Sequence, residues 1–313
     1  MKKPILVIAG PTACGKTDAA IQVAKKINAE IISVDSMQVY KYMDIGTAKP
    51  TLSEQQGIKH YMIDELYPDE EFSVAVFQRM ANGYLENIYK AGKIPVLVGG
   101  TGFYLNAVLY NNNFSDMDVD WTYRNELATL AQERGNEYLH NLLREVDSES
   151  ADNIHCNNVK KVIRALEYFK QTGTKISLHN QKEKKRESPY DIHLYILNRN
   201  REQLYERINM RVDKMLQDGL VEEVKGLLER GYSPSLTSMQ GLGYKEIVSY
   251  LTGEIDLDCA VEILKRDTRH FAKRQLTWFR HQTDGIWIDM EKQSAIDEIL
   301  GGMTYVDSIV TTK

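Results

Sequence analysis

An α/β fold, a parallel sheet flanked by helices and carrying an all-helical insertion, is what the sequence predicts, on three observations. Strand-like and helix-like segments alternate over the opening third of the chain, the order that builds a parallel sheet with helical crossovers. The first strand-like run leads directly into a glycine-rich loop, Gly10-Pro11-Thr12-Ala13-Cys14-Gly15-Lys16-Thr17. From residue 111 to residue 189 the strand signal vanishes and only helical spacing remains.

Residues 4–9 form a short apolar run with the length of a buried strand, and the spacing after the loop predicts a helix from Lys16 to about Ile27. Residues 29–34 read as a second strand ending in Asp35-Ser36, and a long connection leads to a third, short strand at 60–63. Residues 72–90 have helical spacing and close at Gly92; residues 94–98 are a buried strand ending in Gly99-Gly100-Thr101-Gly102 at the start of a helix. The helical stretch opens with Asn111-Asn112-Asn113 and closes with the polar run 181–187, so it is expected to be inserted on polar hinges. A strand at 191–197 returns to the sheet, followed by helices at 202–217, 221–229, 244–251 and 258–280, a last strand at 286–289 and a weakly specified tail. The expected division is a core of residues 1–110 and 191–313 with a helical domain at 111–190. In such open sheets ligands bind where strands end, which singles out Gly10, Asp35 and Thr101.

With 313 residues, 42% hydrophobic and 27% charged, the composition is that of a folded globular chain and excludes disorder. A net charge of −5 gives no overall field for nucleic acid, so any such binding must rest on local patches. The three cysteines, Cys14, Cys156 and Cys259, lie far apart with no metal-binding spacing and read as reduced thiols of a cytoplasmic protein. No apolar stretch reaches the length of a membrane span, so no membrane partner is expected.

The loop is a complete phosphate cradle of the P-loop NTPase-like kind. Its glycines let backbone N–H groups close on a phosphate, the helix starting at Lys16 points its positive end at the anion, Lys16 pairs with phosphate charge, and the Thr17 hydroxyl is placed to ligate Mg²⁺. Asp35, at a strand tip beside that loop, either caps a turn or acts on the ligand, as a Mg²⁺ ligand or a proton acceptor. The strand before Gly99 ends without the acidic residue that ATPases usually place there; Thr101 offers a hydroxyl and a helix N-terminal amide, for capping or for an anionic group. Two helices are basic. In 159–169, Val159, Val162, Ile163, Leu166 and Phe169 make an apolar stripe that leaves Lys160, Lys161 and Arg164 outside it. In 258–280, Arg266, Arg269 and Lys273 share a side, with Lys265, Arg274 and Arg280 nearby and aromatic residues between, the footprint of a phosphate backbone. The run Lys182-Glu183-Lys184-Lys185-Arg186 reads as a soluble hinge.

Together these residues resemble the tRNA dimethylallyltransferases over nearly the whole chain. The resemblance rests on the phosphate loop, on Asp35-Ser36-Met37-Gln38-Val39-Tyr40 continuing to Met43-Asp44-Ile45-Gly46-Thr47-Ala48-Lys49-Pro50, and on Gly99-Gly100-Thr101-Gly102-Phe103-Tyr104. It extends through Arg164-Ala165-Leu166-Glu167, Gly243-Tyr244-Lys245-Glu246 and Arg274-Gln275-Leu276-Thr277-Trp278-Phe279-Arg280. It implies transfer of a dimethylallyl group from dimethylallyl diphosphate to the exocyclic amine of the adenosine 3′ of the anticodon, with diphosphate rather than ATP in the loop. It further implies Mg²⁺ as cofactor, Asp35 as base, Thr101 near diphosphate and adenosine, and Arg211 around the diphosphate, although Arg211 also suits a surface ion pair with Asp213. Contacts to the tRNA anticodon stem-loop are implied for Asp35, Ser36, Met37, Gln38, Arg124, Lys160, Lys161, Val162, Ile163, Arg164, Gln240 and Lys245. The chain departs from the family pattern at Lys160-Lys161, where paired arginines are frequent, and at Asn158, where Asp is common; lysine neutralises phosphate without bidentate geometry. A monomer with no obligate protein partner is expected. Three other readings use the same loop: a small-molecule kinase binding ATP, a nucleotide-gated RNA-binding module, and a prenyltransferase acting on free AMP or ADP.

Overall fold

The computed structural model describes residues 2–112, 120–184 and 186–302. Asn113 of the first hinge, Lys185 of the second and the tail beyond residue 302 lie outside them. In chain order the elements begin with β1 (Lys3–Ala9), α1 (Lys16–Lys26), β2 (Ala29–Val34), α2 (Leu52–Gln55), β3 (His60–Tyr61), α3 (Val74–Lys90), β4 (Ile94–Gly99) and α4 (Gly102–Leu109). Five helices follow: α5 (Trp121–Arg134), α6 (Asn136–Val146), α7 (Ser148–Asn153), α8 (Val159–Thr172) and α9 (Ile176–Lys184). The chain then forms β5 (Tyr190–Asn198), α10 (Arg201–Gln217), α11 (Leu220–Glu229), α12 (Tyr244–Leu251), α13 (Leu257–Gln282), β6 (Ile286–Asp289) and α14 (Ala295–Gly301).

The six strands make one parallel sheet in the order β3-β2-β4-β1-β5-β6. Both faces are covered, which is why the inner strands are runs of apolar residues rather than alternating ones: Ile5 to Ala9 of β1 and all of β4 are buried. Side chains of alternate parity serve two separate layers. Val7, Val34 and Leu97 pack with Phe77, Tyr244 and Phe279 on one face; Leu6, Ile8 and Val96 pack with Ala20, Val23, Leu204 and Ile208 on the other. From β1 the chain moves to β2, fills the gap with β4, and returns on the opposite side with β5, so strand order changes direction at β1. A crevice opens at the carboxyl ends of strands around such a switch point, and the glycine loop sits at that end of β1.

The chain separates into two compact units, one of residues up to Asn111 and from Ser188 onward, the other Asn112–Glu187. The second contains α5 to α9 and has its own core of Leu127, Leu139, Leu143, Val162 and Leu166. Asp147 is buried there and accepts hydrogen bonds from the backbone and hydroxyl groups of Ser150 and Ser177, tying together the starts of α7 and α9. Among the described residues no helix is long and apolar enough to cross a membrane.

Three elements differ from expectation. The connection after β2 contains α2, whose start carries a capping box in which Thr51 and Glu54 satisfy each other's backbone N–H. The tail, expected to be weakly specified, forms α14, whose Ala295 and Ile299 are buried in the layer beneath α1. The third strand is shorter than expected, because Met62 takes a left-handed conformation (φ 64°).

Candidate active site

The loop between β1 and α1 is built on unusual backbone. Gly10 (φ 147°) leaves no room for a side chain, since a Cβ there would fall 2.4 Å from the Leu197 carbonyl; Ala13 (φ 62°) and Gly15 (φ 104°) are also left-handed. Such alternation turns consecutive N–H groups inward to form an anion-binding concavity. Three arginines brace it: Arg199 Nε donates to the Cys14 carbonyl at 3.1 Å, Arg207 Nε to the Ala13 carbonyl at 2.9 Å, and Arg211 reaches the Thr12 hydroxyl at 3.5 Å. Arg207 and Arg211 stand four apart on one face of α10, and Arg199 follows the end of β5. Arg211 therefore faces the loop, and Asp213, its alternative partner, pairs with Lys265 at 2.7 Å. Burial lowers the pKa of both Arg211 and Lys16; Lys16 Nζ donates to the Pro11 carbonyl at 2.6 Å.

Asp35 lies at the tip of β2. Its Oδ1 accepts from the Met37 N–H at 2.8 Å and the Gln38 N–H at 3.4 Å, so the turn-capping reading is correct as far as it goes. Burial nonetheless pushes its carboxyl above the ordinary aspartate value, against the opposing pull of these N–H groups and of Lys16. Lys16, Thr17, Asp35, Arg207, Arg211 and Gln275 line a single cavity of about 490 Å³. Ile31, Ile45, Val98, Met215 and Phe271 give it apolar wall beside this polar end.

One wall is the segment following Met43, and it is held by side chains from far along the chain. Glu223 accepts the Asp44 and Ile45 N–H groups at 2.8 Å each, the Gly46 N–H at 3.1 Å and the Tyr244 hydroxyl at 2.7 Å. Lys49 bonds the Tyr40 carbonyl, Asp44 and Asp64. Gln38 spends its amide inside the protein, accepting from Ser33 and donating to the carbonyls of Thr47 and Ala48.

Thr101 is the N-cap residue of α4, yet its side chain makes no capping hydrogen bond. Gly99 and Gly100 line the cavity, whereas Thr101, next in the chain, is not among its lining residues. Gln275 of α13 joins this strand end to the phosphate loop: its Oε1 accepts the Thr12 N–H at 2.8 Å and its Nε2 donates to the Gly100 carbonyl at 3.1 Å. Sequence reasoning singled out neither Gln275 nor Arg199 and Arg207 as site residues. For Arg207 the spacing of four from Arg211 was the available signal; for the other two there was none beyond membership of a family motif or proximity to a strand end.

The residues expected to meet RNA are placed as follows. Within the large unit, Lys273 and Arg274 are exposed on α13, Arg269 bonds Asn209 at 2.6 Å, and Arg266 pairs with Asp267. Ser36 is half-buried; Met37 packs against the core, close to Gly241. Gln240 is exposed and donates to the Pro234 carbonyl, and Lys245 is flanked by Glu246 and Asp267. Within the helical unit, Lys160 and Lys161 are exposed, but Val162 and Ile163 are buried in its core, so their side chains do not face outward. Arg124 and Arg164 both bind the buried carboxylate of Glu167, Arg124 through two bonds of 2.9 Å.

Among the described residues no group of three or more His, Cys, Asp or Glu side chains could hold a metal ion. The donor set suits Mg²⁺ held by few protein oxygens: Thr17 offers a hydroxyl in the cavity, and a bound diphosphate would bring most of the remaining ligands.

A family profile described as IPP transferase matches residues 38–282. A tRNA dimethylallyltransferase of Acetivibrio thermocellus is 54% identical over 301 residues, covering 96% of each chain. One from Lachnoclostridium phytofermentans is 53% identical over 304 residues, covering 97% of each. Among solved structures, the full-length tRNA isopentenylpyrophosphate transferase of Bacillus halodurans superposes with a TM-score of 0.73 at 42% identity, covering 99% of this chain and 97% of that one. A eukaryotic dimethylallyltransferase caught acting on tRNA superposes with a TM-score of 0.83 at 29% identity, covering 99% of this chain and 80% of that one.

Proposed function

This chain belongs to the IPP transferase family, and from that premise we propose that it transfers a dimethylallyl group from dimethylallyl diphosphate to the exocyclic amine of the adenosine 3′ of the anticodon in tRNA. The observation that carries this reading is the meeting of a phosphate-binding loop, a half-buried carboxylate and apolar wall in one cavity. In the reaction the carbon–oxygen bond to diphosphate breaks with its electrons going to the leaving oxygen, and a carbon–nitrogen bond forms to the amine. Lys16, Arg211 and the loop N–H groups stand where that leaving charge develops, and preorganised donors at such a point lower the barrier most. The amine is a weak nucleophile whose proton becomes acidic as the new bond forms; Asp35 is the carboxylate that takes it. Thr101 is assigned a place near the diphosphate and the adenosine. Mg²⁺, held through the Thr17 hydroxyl, would neutralise diphosphate charge.

An adenosine stacked in an anticodon loop cannot enter such a cavity, so the base is taken out of its stack. The exposed lysines of α8 and the basic residues of α13 are the groups that would hold the surrounding backbone. The decisive experiment incubates unmodified tRNA with dimethylallyl diphosphate and Mg²⁺ and analyses its nucleosides by mass spectrometry. Prenylated adenosine at the position after the anticodon is expected. Product formed only on free AMP or ADP, or none on any acceptor, would sink the reading.

A further inference from the structure

We propose that Gln275 is a positioning residue for this transfer, fixing the separation between the phosphate loop and the strand end that carries Thr101; the inference rests on the activity assigned above. Gln275 is buried, and both ends of its amide are used: the oxygen takes the Thr12 N–H and the nitrogen gives to the Gly100 carbonyl. One side chain thus bonds both segments directly. The glycines on either side of Thr101 show how closely α13 approaches. A Cβ on Gly100 would fall 2.1 Å from Gln275 Nε2, and one on Gly102 would fall 2.1 Å from the Trp278 ring. Residues 275 and 278, three apart on one helix face, thus fill the space that side chains at 100 and 102 would need.

Arg199 and Arg207 tie two of the loop's carbonyls to the end of β5 and to α10, and the Thr12 N–H ties the loop to α13. The reacting carbon is carried by that loop through the diphosphate, whereas the acceptor nitrogen is met near Asp35 and Thr101. Gln275, at the edge of the cavity, sets the distance between the two halves of the reaction. α13 also presents Lys273 and Arg274 to solvent, so the element that fixes this distance is one that offers charge to RNA.

The test compares wild type, Q275E and Q275M in single-turnover prenylation of an unmodified anticodon stem-loop, at increasing dimethylallyl diphosphate, with a melting curve for each. Q275E keeps an acceptor for Thr12 but loses the donor to Gly100. Its rate at saturating donor should fall about 10- to 100-fold, the scale of a misplacement near 1 Å, with the half-saturating donor concentration little changed. Q275M loses both bonds, so its rate should fall and its donor requirement rise. A Q275E enzyme with the wild-type rate overturns the proposal. So does one that no longer folds, which would make Gln275 purely structural. A wild-type enzyme without product overturns the activity and the positioning role together, whereas fast variants beside an active wild type overturn positioning alone.

Discussion

Asp35 carries two duties that pull on the same carboxyl. One oxygen holds the Met37 and Gln38 N–H groups, a task that any carbonyl could share, while burial keeps the acid weaker than an ordinary aspartate. Replacing it with Asn preserves the turn and removes the base. D35N should bind both substrates and lose about 10²-fold or more in single-turnover rate, the scale of general base catalysis; a rate near wild type would remove Asp35 from that role. Because only the ionised form accepts a proton, the acid limb of the wild-type rate profile should lie above the ordinary aspartate value of 3.8 and vanish in D35N. The sign for stability is opposite. A carboxyl whose folded pKa is raised favours folding below its unfolded pKa and loses that contribution as pH rises through the folded pKa, so at neutral pH D35N should melt no lower than wild type. Asp35, Lys16 and Thr17 were legible because each lies in or beside one short motif. Arg199, Arg207 and Gln275 were not, because each meets the loop from 185 or more residues away, a distance across which sequence pattern carries no geometry.

At the level of elements, the segment after Met43 shows how an irregular wall is made firm. Residues 44–50 are themselves neither strand nor helix; Glu223 of α11 receives three of their N–H groups and the hydroxyl of Tyr244 from α12. E223A should cost about 1–3 kcal/mol in chemical denaturation, the penalty for stranding such donors, and should raise the donor requirement, since Ile45 and Lys49 line the cavity. In the helical unit, α5 and α8 are joined by Glu167, fully buried, which burial alone would make a weaker acid but which Arg124 and Arg164 hold below its ordinary pKa. E167A is expected to lose about 3 kcal/mol, the lower end for breaking a buried ion pair because the arginines keep some solvent; an unchanged denaturation midpoint would contradict this. Regular elements were readable from apolar spacing, as at Ala29–Val34 and Tyr244–Leu251. The short α2 went unread although its Thr-x-x-Glu signal was present, and α14 because its burial beneath α1 is a tertiary fact.

The whole molecule carries a net charge of −5, so its attraction for RNA has to come from where cations are gathered rather than from their number. The logarithm of stem-loop affinity should fall linearly with the logarithm of salt concentration, and Lys273→Gln should flatten that slope by about one while weakening all sequences alike. A slope unaffected by the substitution would remove Lys273 from the backbone contacts. The sheet has a further consequence in the order of synthesis. β1, made before the other strands of the sheet, lies between β4 and β5, and its pairing with β5 matches Lys3 to Tyr190 through Ala9 to Ile196. The helical unit is made in between, with a core of its own on which to condense. A strand whose residues from Ile5 to Ala9 are all apolar thus waits, with an unpaired edge, for a partner nearly two hundred residues away, which makes closure of the sheet a late, slow step and the half-made chain a natural client for chaperones.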